Sequence, residues 1–77
     1  MRECVVTFAN ADDIRRFVAI ATRQCFSVHV EADQMQTNGE CIMGMFCMGC
    51  NRPLYVRFPA EADASGFLQE LQPFLVA

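Results

Sequence analysis

Apolar and polar residues alternate from the first residues of the chain. Cys4, Val6 and Phe8 fall on one side of an extended segment and Val5 and Thr7 on the other, which predicts a strand over 3–8. Asn10 then offers a helix N-cap, and Asp12 and Asp13 follow where a helix dipole favours acids. Ile14, Phe17, Val18 and Ala21 recur at helical spacing, with Arg15, Arg16 and Arg23 off that face or near its end. The pattern predicts an amphipathic helix over 11–24. Phe26, Val28 and Val30 alternate with Ser27, His29 and Glu31, as in a strand with one buried face. Residues 33–40 are polar and read as a turn and an edge strand near 35–38. The apolar run Cys41–Gly49 suits a short helix or a buried strand, with Gly49 a suitable helix-ending residue. Asn51-Arg52-Pro53 is a turn. Leu54, Val56 and Phe58 alternate with Tyr55 and Arg57 in a further strand that Pro59 stops. A last helix is predicted over 61–72, with Ala64, Phe67, Leu68 and Leu71 on one face and Phe74 and Leu75 closing the chain. The order β-α-β-β-α-β-α predicts an α+β domain of two layers, helices on one face of a mainly antiparallel sheet.

Composition narrows the function classes. At 77 residues the chain makes one domain, 1–77, and its 53% hydrophobic and 19% charged residues are a globular balance. No apolar run reaches the length of a membrane span. The first residues, Met1-Arg2-Glu3-Cys4, lack the apolar stretch of a secretory signal, so a cytoplasmic location is expected. The net charge is −3 and no basic cluster appears, so neither nucleic acid nor an anionic membrane is an expected partner. A single histidine, His29, removes most histidine-based catalytic and zinc sites, and neither enzyme activity nor a cofactor is expected.

Five cysteines cannot all pair within one chain, and in a reducing compartment they act as small hydrophobes. Cys4 shares the inward strand face with Val6 and Phe8 and is expected to be buried. One stretch allows sharper chemistry. Met45-Phe46-Cys47-Met48-Gly49-Cys50 satisfies Met-x-Cys-x-x-Cys, a pattern of small copper chaperones, in which two thiolates hold a soft ion or act as a redox pair. That alternative would rest on Cys47 and Cys50. Its context is unusual, because in those proteins the motif lies near the N-terminus ahead of a long helix, and here it lies mid-chain ahead of a turn and a strand.

The segment Cys41-Ile42-Met43-Gly44-Met45-Phe46-Cys47-Met48-Gly49 resembles the Ser-Ile-Met-Gly-Val-Met-Ser-Leu-Gly segment of HPr, the histidine phosphocarrier of the bacterial sugar phosphotransferase system. The element order agrees over essentially the whole chain. The resemblance implies an open-faced sandwich, a four-stranded antiparallel sheet with three helices on one face. HPr carries its phosphoryl group on the histidine of Gly-Ile-His-Ala-Arg-Pro. A gap-free alignment puts Asn10 at that histidine, Ala11 at the alanine, Asp12 at the arginine and Asp13 at the proline. An amide does not accept a phosphoryl group as an imidazole does, and an aspartate repels phosphate where the arginine would pair with it. The family's regulatory serine falls at Cys41, which a serine kinase does not phosphorylate.

What the resemblance retains is the contact surface of the second helix, at Ile42, Met43 and Phe46. A short helix cannot bury every residue of so apolar a segment, and exposed Met and Phe side chains are adaptable anchors for a protein partner. The expected function is that of a noncatalytic binding or regulatory relative of the phosphocarrier, with a protein from the phosphotransferase system or a regulatory protein as partner. Soft-metal or thiol redox chemistry at Cys47 and Cys50 is the alternative.

Overall fold

A computed structural model describes residues 1–76. The strands are β1 (Arg2–Val6), β2 (His29–Ala32), β3 (Met35–Asn38) and β4 (Leu54–Phe58). The helices are α1 (Ala11–Thr22), α2 (Ile42–Met48) and α3 (Ser65–Glu70), followed by a 3-10 turn over Gln72–Phe74. The sheet is antiparallel throughout, in the order β1-β4-β2-β3. Helices cover one face, so the α+β open-faced sandwich expected from the sequence is the fold observed. Among the described residues no helix is long and apolar enough to cross a membrane.

The alternation in each strand decides what faces the helices. Val6, Val30, Ala32, Leu54, Val56 and Phe58 point inward and are buried. They meet Ile14, Phe17, Ile20 and Ala21 from α1, Met45 and Met48 from α2, and Phe67, Leu71 and Phe74 from the C-terminal turns. No polar or charged residue is buried among the described residues, so this core carries no desolvation cost for unpaired groups. On the open face Arg57 of β4 donates to Glu3 of β1 at 2.7 Å and reaches Glu31 of β2 at 3.1 Å. The hydrogen bond to Glu3, then the charge of Glu31, hold its pKa above the ordinary arginine value.

Four predicted elements differ from the observed ones at their ends. The first helix closes at Thr22 and not at 24, because Arg23 and Gln24 donate to Ile20 and Ala21, three residues back, in a tightened last turn. The first strand stops at Val6, opposite Leu54, where β4 begins. Beyond it Thr7 donates to the Phe74 carbonyl at 2.9 Å and Asn51 donates to the Phe8 carbonyl at 2.7 Å. Phe8 stays fully buried, between the rings of Phe17 and Phe74, each with its centroid 5.4 Å away. The second strand starts at His29, not Phe26. Phe26 sits in a bend and packs its ring on Phe58 and Phe67, a contact that apolar alternation also fits. The last helix is shorter than 61–72. Asp63 accepts from the Ser65 hydroxyl at 3.0 Å and Ala62 donates to the Pro59 carbonyl, so residues before Ser65 turn instead of coiling. Pro73 has no N–H to continue an α-helix, and the chain tightens into the 3-10 turn.

Cys4 faces inward beside Val56 but is half-buried, not buried as its strand position suggested, because β1 is an edge strand of the sheet. Burial, followed by the charge of Glu3, raises its thiol pKa. Native Cys4 therefore binds its proton more tightly than the unfolded chain does. Its contribution to stability is present below the ordinary thiol pKa and is lost as the pH rises through the raised value. Alkylation at neutral pH is expected to label the exposed Cys25, Cys41 and Cys47 well before Cys4, as read by peptide mass mapping. Equal labelling rates would show that the strand does not shield the thiol.

Candidate functional site

The start of α1 is built to satisfy itself. Asn10 has extended backbone angles, and its side-chain oxygen accepts the Asp13 N–H at 3.0 Å. Asp13 reaches back to accept the Ala9 N–H, also at 3.0 Å. This reciprocal arrangement is a variant of the capping box, made from Asn and Asp, in which the acid accepts the N–H of the residue before the cap. Asp12 is held by Arg15 at 2.8 Å, and Arg16 lies 3.9 Å from Asp13. The first turn is thus lined by two carboxylates, and Asn10 brings an amide oxygen that is already used.

The Cys41–Gly49 segment, open between helix and strand in the sequence, folds as α2. Cys41 is its N-cap, and its sulfur accepts the Gly44 N–H at 3.4 Å. Gly49 ends it with φ 86°, a backbone conformation that side chains disfavour. Two contacts set the helix's rotation. Gly44 lies against Thr37 of β3, so closely that a Cβ there would stand 2.0 Å from the threonine hydroxyl. Met45 and Met48 point straight into the core and are 0% and 1% exposed. The opposite side then faces solvent, with Ile42 36%, Met43 72% and Phe46 38% exposed. Ile42 and Phe46 lie one turn apart on one side of the helix, and Met43 flanks them. Arg15 of α1 holds its guanidinium 5.6 Å from the centroid of the Phe46 ring. The structure therefore brings Asp12, Arg15 and Phe46 into one row that joins the two helices.

The row was not read from the sequence, because Arg15 and Phe46 are linked only by the packing of α1 on α2. The reciprocal cap had a visible signal, Asn10 and Asp13 standing three residues apart.

The other candidate residues are scattered. His29 is exposed on the open face, between Arg57 and Asn38 in neighbouring strands and on the far side of the sheet from α1. Cys47 is exposed on α2, whereas Cys50, past the turn at Gly49, packs against the core and is half-buried. Among the described residues no group of three or more His, Cys, Asp or Glu side chains is placed to hold a metal ion.

No family model matches the chain, and no curated protein matches it. Among solved structures it is similar to the crystal structure of HPr-C-His from Thermoanaerobacter tengcongensis. The two share 22% identity over 95% of this chain and 89% of that one, with a TM-score of 0.73. At that identity the likeness is one of fold: the chain has the HPr-like fold.

Proposed function

We propose that this chain is an HPr-like protein that has lost the phosphocarrier histidine and works in the bacterial cytoplasm as a noncatalytic binding or regulatory domain. Its protein partner docks on α2 through Ile42, Met43 and Phe46. The observation that carries the proposal is the cluster of apolar side chains exposed on α2, beside an α1 N-terminus occupied by its own side chains. Asn10 supports the loss of phosphoryl transfer. It stands where the resemblance puts the acceptor histidine, and it is spent as a helix cap. Asp12 and Asp13 would oppose a phosphoryl donor approaching that turn. Cys41, at the regulatory-serine position, is likewise spent as a cap.

Two measurements test this. Incubation with phosphoenolpyruvate and Enzyme I is expected to leave the protein unphosphorylated, His29 included. An acid-labile phosphoryl group found by mass spectrometry would overturn the loss of carrier chemistry. Affinity purification from the native cell extract is expected to retain a protein that Phe46→Glu releases, with partner affinity weakened by about 2 kcal/mol for an aromatic anchor. Equal retention by both proteins would remove α2 as the docking surface.

A further inference from the structure

We propose that the free edge of β3 is a second docking element, one that takes an extended segment of a partner protein, flanked by basic residues, as an added strand. The proposal does not rest on the α2 surface. The two edges of the sheet are treated differently. At the β1 edge the chain's own C-terminal segment covers the backbone, with Val6 bridged to Leu75 and the Val76 N–H donating to the Val5 carbonyl at 2.9 Å. At the other edge β3 pairs with β2 and, among the described residues, with no further strand. α2 rests on its inner face, where Gly44 meets Thr37, and Met35, Gln36 and Asn38 stay exposed.

The register identifies the backbone groups that are free. The Gly39 N–H donates to the Val28 carbonyl at 2.8 Å, so Val28 and Gly39 form a hydrogen-bonded pair of the β2–β3 ladder. Hydrogen-bonded pairs recur every second residue, which makes Val30–Thr37 and Ala32–Met35 the others. Gln36 and Asn38 therefore aim their backbone groups outward. The Asn38 carbonyl is taken by the Cys41 N–H at 3.0 Å. What remains is the N–H and carbonyl of Gln36 and the N–H of Asn38, spaced to receive an antiparallel strand. Edge strands are commonly guarded by a lysine, a proline or a bulge. β3 reads Met35-Gln36-Thr37-Asn38 and has no charge and no proline.

Charge decides the occupant. Glu31 faces Gln36 across the ladder, Asp33 stands in the β2–β3 turn, and Glu40 follows the strand. Arg52 is engaged with Asp33, and Arg57 is shared between Glu31 and Glu3. Glu40 makes no ion pair among the described residues. Asp33 and Glu31 are thus compensated, and the unpaired charge beside the β3 edge is that of Glu40. The β3 edge of a second copy would bring no unpaired cation to Glu40, whereas a segment with lysine or arginine beside its pairing residues would meet complementary charge.

The test uses a short synthetic peptide of alternating valine and threonine with lysine at both ends, and a counterpart ending in glutamate. Titrating the lysine peptide is expected to shift the amide resonances of Gln36 and Asn38 saturably and to slow their hydrogen exchange. The glutamate peptide is expected to bind at least about tenfold more weakly. Gln36→Pro removes an outward donor while leaving the β2 ladder intact, and is expected to abolish the effect. Glu40→Lys alters an exposed side chain and is expected to reverse the preference between the peptides. The proposal is overturned by shifts absent from β3, by equal binding of both peptides to every variant, or by concentration-dependent self-association broadening β3 in place of peptide binding.

Discussion

Met45→Glu is expected to unfold the domain, and Phe46→Glu, one residue later, to leave it folded. Met45 is 0% exposed beneath α2, and no buried polar or charged residue is there to receive a carboxylate. The substitution loses the packing of a full methionine side chain, about 2–5 kcal/mol by analogy with large-to-small core changes. It also sets an unpaired charge in an apolar site, which adds several more kcal/mol unless the carboxyl is neutralised. A domain has only about 5–15 kcal/mol of stability, and small ones sit at the lower end. Phe46 is 38% exposed, with the Arg15 guanidinium over its ring. Its replacement gives up a cation–π contact worth about 0.5–1 kcal/mol, but a glutamate there is within reach of the same guanidinium. The net change is expected to be about 1 kcal/mol or less. Denaturant melts followed by circular dichroism separate the two variants. If Phe46→Glu lost its cooperative transition and Met45→Glu kept it, α2 would be rotated relative to the structure, and Ile42, Met43 and Phe46 would be core residues with no docking role.

Gly44→Ala is expected to destabilise the domain by about 2–3 kcal/mol, although alanine is the better helix former. The added Cβ would lie 2.0 Å from the Thr37 hydroxyl and 3.0 Å from its Cβ, so rotating the threonine side chain does not clear the space. α2 would have to lift from β3, and Met45 and Met48 would be drawn out of the core with it. Gly66 provides the control. It also lies within a helix, and a Cβ there meets nothing within 4 Å, so Gly66→Ala is expected to stabilise the protein slightly. The clash at Gly44 is expected to be relieved in part by Thr37→Ala, so a double-mutant cycle should show favourable coupling. Additive effects would mean that the helix does not press on β3 at this point.

The pattern of apolar positions carried the layer arrangement because each strand buries one face and each helix one stripe. Val6, Val30, Val56 and Phe58 all stand at alternate positions and all face the helices. The N-cap at Asn10, the acids of the first turn and the turn at Asn51 follow from local rules of capping, spacing and backbone preference. These act within a few residues and are written in the chain. Element ends were less legible, because an apolar residue fits its pattern equally well inside a strand or packed beside one. Phe8 and Phe26 are such cases. Both are held by aromatic partners distant in sequence, Phe74 for the first and Phe58 and Phe67 for the second.

By itself the sequence determined that this is a two-layer α+β domain with a self-capped first helix, and that its apolar 41–49 segment has more hydrophobic surface than one short element can bury. Only the tertiary structure decided which apolar residues are left outside. The rotation of α2 is set by the approach of Gly44 to Thr37, and the stacking of Arg15 on Phe46 by the packing of α1 against α2. Tertiary contacts also closed one edge of the sheet with the C-terminal segment and left the other open. These are contacts between residues far apart in the chain, and no local propensity encodes them.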